Sequence, residues 1–235
     1  MGSAGCRRRG GVRWATVCVA VWFGGPSALL LRGNDCFAAD VAPDYESVIA
    51  GRAEKIVAVL DLASDDLRDR VRESLLAFYR GTNAWHEAHG PRRKELKSAQ
   101  DDASKAELAT LEDELATIRD DFLKRLSADL SPEQVEKVKD SLTYNVVHVT
   151  ERAYGDMIER LTDDQKRMIH EHLIAARDQA MVEGSSEAKH AVFGKYKGRI
   201  NNELSRQGYD LKQEERGWQM RRKAAAAGTT NEEPK

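Results

Sequence analysis

The chain has 235 residues, of which 41% are hydrophobic, 32% charged and only 6% aromatic. This composition excludes a collagen-like or low-complexity chain and allows one medium-sized domain, or two small ones, with a sizeable buried core. All three cysteines lie in the first 38 residues, and the remainder is rich in the helix-forming residues Ala, Glu, Lys and Leu.

The first 38 residues are typical of a cleavable secretory signal. A basic segment at 7–13 precedes an apolar run at 14–23, and Cys36 and Ala38 supply small residues where a signal peptidase cleaves. A permanent membrane anchor is the alternative, but Gly24-Gly25-Pro26 interrupts the apolar run well short of the ~20 residues that a spanning helix needs. We therefore expect a periplasmic or secreted protein without stable membrane insertion after cleavage.

Cleavage after residue 38 changes the charge and the stabilisation that we expect. It removes five basic side chains and one acidic one, so the formal charge goes from −2 to −6. Such an acidic protein is a poor general binder of nucleic acid. An exported chain without cysteine has no disulfides either, so core packing must hold it together.

From residue 44 onward the hydrophobic pattern predicts an all-α helical bundle of about six or seven helices. Gly90-Pro91 predicts a helix break, and the charged stretch 92–126 has apolar residues spaced 3, 4, 3, 4. That spacing favours a long charged helical hairpin over an extended coiled coil. We expect a signal peptide at 1–38, a helical domain at 39–218 and a disordered tail at 219–235.

Local signals define several later elements. Leu-Ser-Pro-Glu-Gln at 130–134 and Leu-Thr-Asp-Asp-Gln at 161–165 each predict a helix that begins with a capping box. The valine-rich segment 143–149 predicts a short extended link, in which His148 is expected to be a buried core residue. A further helix is predicted from Ser186 to Arg206.

The most distinctive segment is 189–202, Lys-His-Ala-Val-Phe-Gly-Lys-Tyr-Lys-Gly-Arg-Ile-Asn-Asn. On a helix, Gly194 and Gly198 lie one turn apart and form a bare strip surrounded by hydrogen-bond donors. The strip either packs against another helix or binds a carboxylate, a phosphate or sugar hydroxyls. The sequence leaves both interpretations open.

Signatures of metal binding and catalysis are sparse. His86 and His89 share a helix face, but a zinc site needs three or four placed ligands and no third one can be assigned, so we predict no metal and no cofactor. The chain after residue 38 has no cysteine nucleophile, no Gly-x-Ser-x-Gly elbow and no phosphate-binding glycine loop. Carboxylates are abundant, but a catalytic pair is defined by its separation in space.

The chain resembles an exported, all-helical domain of unknown function from Gram-negative bacteria. The resemblance is carried by Leu-Thr-x-x-Gln at 161–165, Ala-Arg-Asp-x-Ala-Met at 176–181, the 189–202 segment and Gly-Tyr-Asp-Leu at 208–211. Segments 52–57 and 79–86 resemble the first helices of the same family. The resemblance implies sugar binding in polysaccharide utilisation, and the Leu-Thr-x-x-Gln elements are also similar to those of the Spy and CpxP periplasmic chaperones.

These observations lead to three functional hypotheses. The first is a non-enzymatic binding protein for an acidic carbohydrate, with Trp85, Trp218 or Tyr144 as stacking platforms. The alternatives are a chaperone-like or envelope-stress protein, and a hydrolase or lyase that acts on polysaccharide through a Tyr/His/Arg cluster in one cleft. The predicted ligand-binding residues are Asn83, His86, Arg177, His190, Lys195, Lys197, Arg199, Asn201 and Asn202.

Overall fold

The computed structural model describes residues 44–228, which form eight α-helices. The predicted signal peptide, and residues 229–235 of the predicted tail, lie outside the described residues. The all-α helical prediction is confirmed. In chain order the helices are α1 (Tyr45–Ala58), α2 (Asp65–Ser98), α3 (Asp102–Asp129), α4 (Pro132–Leu142), α5 (Val146–Met157), α6 (Asp163–Ala180), α7 (Ser186–Arg206) and α8 (Leu211–Gly228).

Side-chain caps define where most of these helices begin. Both predicted capping boxes are present, one between Ser131 and Gln134 and the other between Thr162 and Gln165. Ser185 caps α7 by accepting a hydrogen bond from the backbone N–H of Ala188 at 3.1 Å. These bonds satisfy backbone donors that the first helical turn leaves free, so helix starts are encoded locally.

Helices α2 and α3 form the predicted charged hairpin. Three contacts join the helices: Arg70 with Asp129, Trp85 with Glu114, and Arg92 with Glu107. The residue numbers rise along α2 as they fall along α3. Between the helices the rings of Phe78 and Phe122 stack with their centroids 4.2 Å apart. The hairpin is therefore antiparallel and is held by an apolar seam flanked by ion pairs.

The buried apolar residues form two clusters. The first lies among α1 to α4, and the second lies among α5, α6 and α7 with support from Tyr209 and Leu211. Met181 and Val182, at the end of α6, are almost fully buried in the first cluster. The chain thus passes from the second core into the first and back between α6 and α7, and we call residues 181–185 the crossing segment.

Polar contacts fix the crossing segment to the hairpin. Glu183 accepts hydrogen bonds from both terminal nitrogens of Arg93, at 2.9 and 2.8 Å, and Arg93 also donates to Glu112. One residue earlier, the Val182 carbonyl lies 2.6 Å from Nε2 of His86. Arg93 is only 7% exposed, so this is a largely desolvated network with directed hydrogen bonds.

The predicted break at Gly90-Pro91 is wrong, because α2 continues through it to Ser98. Proline removes one helical hydrogen bond, but the carbonyl it leaves unpaired belongs to Glu87, which is exposed to water. Beyond the proline, Arg93 and Leu96 are buried against the rest of the first core. Tertiary contacts therefore override the local signal.

The predicted extended link at 143–149 is also wrong, since α5 begins at Val146. Val147 and Thr150 face inward, which turns His148 outward, so His148 is not a core residue. Its Nε2 lies 2.9 Å from Oδ2 of Asp140. The three valines at 146, 147 and 149 favour an extended segment, but burial of one helix face decides the structure.

The predicted tail differs from the structure over residues 219–228, which belong to α8. Alanine has the highest helix propensity, so the run Ala224–Ala227 continues the helix. Arg221 fastens α8 to the end of α5 by donating to the carbonyls of Asp156 and Met157 at 2.7 and 3.2 Å. Between residues 44 and 228, no helix is both long and apolar enough to cross a membrane.

Neighbouring arginines on α2 offer a matched test of the network. Arg93→Ala leaves the Glu183 carboxylate, whose side chain is only 9% exposed, without its partner, so we expect a loss of about 3 kcal/mol in the free energy of unfolding. Arg92→Ala removes only exposed ion pairs and should cost less than about 1 kcal/mol. Urea denaturation followed by circular dichroism measures both, and equal losses would contradict a structural role for the Arg93–Glu183 pair.

Candidate functional site

A small cavity of about 60 Å³ lies beside the crossing segment, where the two cores meet. Its wall combines side chains from parts of the sequence that are far apart, and we call it the junction cavity. The residues that give it its chemistry are Tyr45 and Arg52 of α1, Tyr79 and Asn83 of α2, Tyr144 between α4 and α5, and Lys189 of α7. Glu183 of the crossing segment also lines it, but its carboxylate is already bound to Arg93.

Lys189 reaches the junction cavity because it lies in the first turns of α7, directly after the crossing segment. It is 8% exposed, and Nζ donates to the carbonyl oxygens of Leu142 at 2.8 Å and Met181 at 3.5 Å. Burial, and to a smaller extent the positive charge of Arg52, lower the pKa of this ammonium group to about 8, whereas Glu183 acts in the opposite direction. Within residues 44–228, no carboxylate forms a salt bridge with Lys189.

Arg52 is the second cation of the junction cavity. It is exposed on α1, and it likewise forms no ion pair within the described part of the chain. Arg52 lines the cavity together with Lys189, Tyr45 and Tyr79, and its positive charge acts to lower the pKa of each of these three groups. The junction cavity therefore has a local positive charge in a protein whose overall charge is negative.

Two tyrosines of the wall stay protonated at neutral pH. Burial raises the pKa of Tyr79 to about 12, because the phenolate would lose its hydration. Burial also raises the pKa of Tyr45, whose hydroxyl donates to the Tyr79 carbonyl at 2.9 Å. The Tyr79 hydroxyl has no hydrogen-bond partner among residues 44–228, so it can donate to a ligand.

Tyr144 occupies an unusual backbone conformation. Tyr144 and Asn145 have φ values of 58° and 56°, in the left-handed region that residues other than glycine rarely adopt. The Tyr144 ring is 47% exposed, lies 5.7 Å from the ring of His190 and lies 6.0 Å from Nζ of Lys189. The turn between α4 and α5 therefore presents an aromatic surface next to the buried amine.

Among the predicted ligand-binding residues, the structure brings three close to the junction cavity. Asn83 lines it and donates to Glu87 at 2.8 Å, and His190 stacks on Tyr144 beside it. His86 does not line the cavity, but its ring contacts the crossing segment at the Val182 carbonyl. A Cβ atom added to Gly184 would lie only 3.0 Å from that ring, so the two pack closely.

The other predicted residues lie elsewhere. Arg177 is buried in ion pairs with Glu136 and Asp140, where it connects α6 to α4. Lys195 lines a separate, open groove between the hairpin and α7. The remaining predicted residues lie on α7: Arg199 stacks on the Tyr196 ring, Asn201 accepts from Tyr154 at 2.6 Å, and Lys197 and Asn202 are exposed.

The glycine strip of α7 faces open space. A Cβ atom at Gly194 or Gly198 would meet nothing within 4 Å apart from the helix itself, so close helix packing does not explain either glycine. Of the proposed stacking platforms, Trp85 is 8% exposed and bonded to Glu114, whereas Tyr144 lines the junction cavity. Trp218 borders a different groove, between α5 and α8.

Sequence reasoning missed four residues of the junction cavity, namely Tyr45, Arg52, Tyr79 and Lys189. Three of them lie in segments that carry the family resemblance, 52–57, 79–86 and 189–202. That signal could have suggested a shared site, but only the fold brings the three segments to one wall. In the described part of the chain, no group of three or more His, Cys, Asp or Glu side chains could hold a metal ion.

Comparison with known proteins identifies a family but no characterised relative. A search of the curated proteins gives no match. A family model for proteins of unknown function, DUF3826, matches residues 46–224, which include every helix from α1 to α7 and most of α8. On the extent of that match, the chain belongs to the DUF3826 family.

Proposed function

We propose that this protein is an exported binding protein for acidic carbohydrate, and that the junction cavity holds the carboxylate of a uronic acid. The observation that carries the proposal is the pair of cations, Arg52 and Lys189, that opens on one cavity without a carboxylate partner among residues 44–228. Polysaccharide utilisation is the process in which such a protein would act.

The charge arrangement favours an anionic ligand. After burial itself, the positive charge of Arg52 is the second cause that lowers the pKa of the buried Lys189 amine. A bound carboxylate offsets the repulsion between Arg52 and Lys189, because it attracts both cations and accepts hydrogen bonds from them. Arg52 suits this role especially well, since a guanidinium can bind a carboxylate with two parallel hydrogen bonds.

The size and lining of the junction cavity favour one charged group of a larger molecule. A volume of about 60 Å³ accommodates a carboxylate, whereas a whole sugar ring must remain largely outside. Outside, Tyr45 and Tyr144 are 40% and 47% exposed and offer aromatic faces to the apolar side of a sugar. Asn83 and Ser185 line the same cavity and can hydrogen-bond to hydroxyl groups.

A chaperone-like function has less support from the surface. The large apolar side chains that are most exposed, Tyr45, Val59, Tyr144, Val149 and Met220, are distributed over α1, α5, α8 and connecting turns. A protein that binds unfolded clients through an apolar concave face needs a contiguous patch.

Arg52→Ala should weaken binding of an oligogalacturonate or oligoglucuronate about tenfold, because it removes a charge-assisted hydrogen bond to the carboxylate. Isothermal titration calorimetry checks this, with Lys55→Ala on the same helix as the charge-matched control. Arg199→Ala distinguishes the junction cavity from the outer face of α7. If Arg199→Ala weakens binding and Arg52→Ala does not, the ligand binds on α7 and our proposal is wrong.

Binding should also depend on pH in one direction. Below about pH 8 Lys189 carries its proton and attracts the carboxylate; above it the free protein loses that charge, so affinity falls as the pH rises through 8. Arg52, Glu183, Tyr79 and Tyr144 also line this cavity; Arg93 lowers the pKa of Glu183 in spite of its burial, and burial raises that of Tyr79 to about 12. Titrations between about pH 6.5 and 9.5, which extend roughly 1.5 units on each side of the pKa of Lys189, should show the fall in affinity for the native protein. The profile of Lys189→Met should be flat. An unchanged slope in the variant would assign the dependence to another group.

A further inference from the structure

We infer that the junction cavity is also catalytic: Lys189 removes the proton on the carbon next to the bound carboxylate, and Tyr79 protonates the departing oxygen. The substrate class is a 4-linked polyuronate, which the reaction would cleave by β-elimination. This inference rests on the proposed function, because the carboxylate must first bind beside Arg52.

The hydrogen bonds of Lys189 suit a base. A neutral amine has two N–H groups and one lone pair. The carbonyl oxygens of Leu142 and Met181 can accept both N–H groups, which leaves the lone pair for the junction cavity that Lys189 lines. Burial and the positive charge of Arg52 lower the pKa of this amine to about 8, so the neutral base forms as the pH rises through 8.

Arg52 supplies the electrostatic part of the reaction. Loss of the α-proton places a second negative charge on the carboxylate group, as an enolate. The guanidinium of Arg52 beside that group stabilises the developing negative charge through its own positive charge and its N–H donors. The same side chain that binds the carboxylate therefore makes the neighbouring C–H bond more acidic.

Tyr79 completes the reaction as an acid. Burial keeps its hydroxyl protonated, and that hydroxyl has no other hydrogen-bond partner among residues 44–228. The C5–H bond breaks and its proton goes to Nζ of Lys189, while the electron pair forms the C4=C5 double bond. The C4–O bond breaks, and the departing oxygen takes the proton of Tyr79. The ammonium of Lys189 then returns a proton to the phenolate through water, so nothing is oxidised or reduced.

The test is incubation of the protein with polygalacturonate, alginate and a 4-linked glucuronan, with ultraviolet detection of the unsaturated uronate at the new chain end. We expect product from at least one polymer. Lys189→Arg and Tyr79→Phe should each lower kcat about 100-fold while binding affinity changes little, because each removes a proton-transfer group but keeps the charge or the ring. Lys212→Met, an exposed lysine of α8, should leave the rate unchanged.

Circular dichroism of each variant verifies folding, and Tyr79→Phe keeps the test decisive if arginine does not fit at position 189. Binding of uronates without unsaturated product would overturn the catalytic inference and leave the proposed function intact. New reducing ends without ultraviolet absorbance would indicate hydrolysis and would overturn it as well. Absence of any binding would overturn both.

Discussion

The hydrogen bonds between Arg93 and Glu183 hold the crossing segment against the hairpin, and the position of Lys189 in the junction cavity depends on that attachment. Met181 and Val182 are buried in the first core only because the chain turns back there, after α6 has packed in the second. Ser185 then caps α7 and starts it at a defined residue. Lys189 follows one turn later, so its place in the wall is a consequence of this sequence of contacts.

Burial of Lys189 is unfavourable for its charged form, and the fold offsets this only in part. Two carbonyl oxygens accept hydrogen bonds from the amine, and Glu183 acts on it from a distance, but Arg52 opposes the charge. A lysine that served only the fold would be expected to have a carboxylate partner or an exposed amine. The burial of Lys189 without a carboxylate partner is therefore the physical reason for assigning it a role in binding and reacting with a ligand.

Much of the fold follows from local sequence signals, whereas the site does not. The capping boxes at Ser131 and Thr162 and the helix from Ser186 to Arg206 are predictable because a cap and its partner lie within one turn. The sequence predicts a helix break at Pro91 and a buried His148, and both predictions are wrong. Contacts with other parts of the chain set the environments of these two residues.

The binding residues show the same limit more clearly. The hydrogen-bond donors of α7 cluster in the sequence and so predict a binding surface, yet most of them face outward and only the first residues of α7 reach the junction cavity. Lys189 and Arg52 are 137 positions apart in the chain. Nothing in the spacing of either residue reveals that both border one cavity, because that proximity arises only when the two cores meet.

The turn at Tyr144 and Asn145 has a consequence for recognition. Asn145 donates its backbone N–H to the Asp140 carbonyl at 2.8 Å, and this bond holds the chain in a conformation that costs about 1 kcal/mol or more per left-handed residue. Glycine would adopt the same backbone without that cost but would provide no ring. Because folding has already restricted this turn, a ligand that stacks on Tyr144 loses little additional conformational entropy, and more of its contact energy appears as affinity.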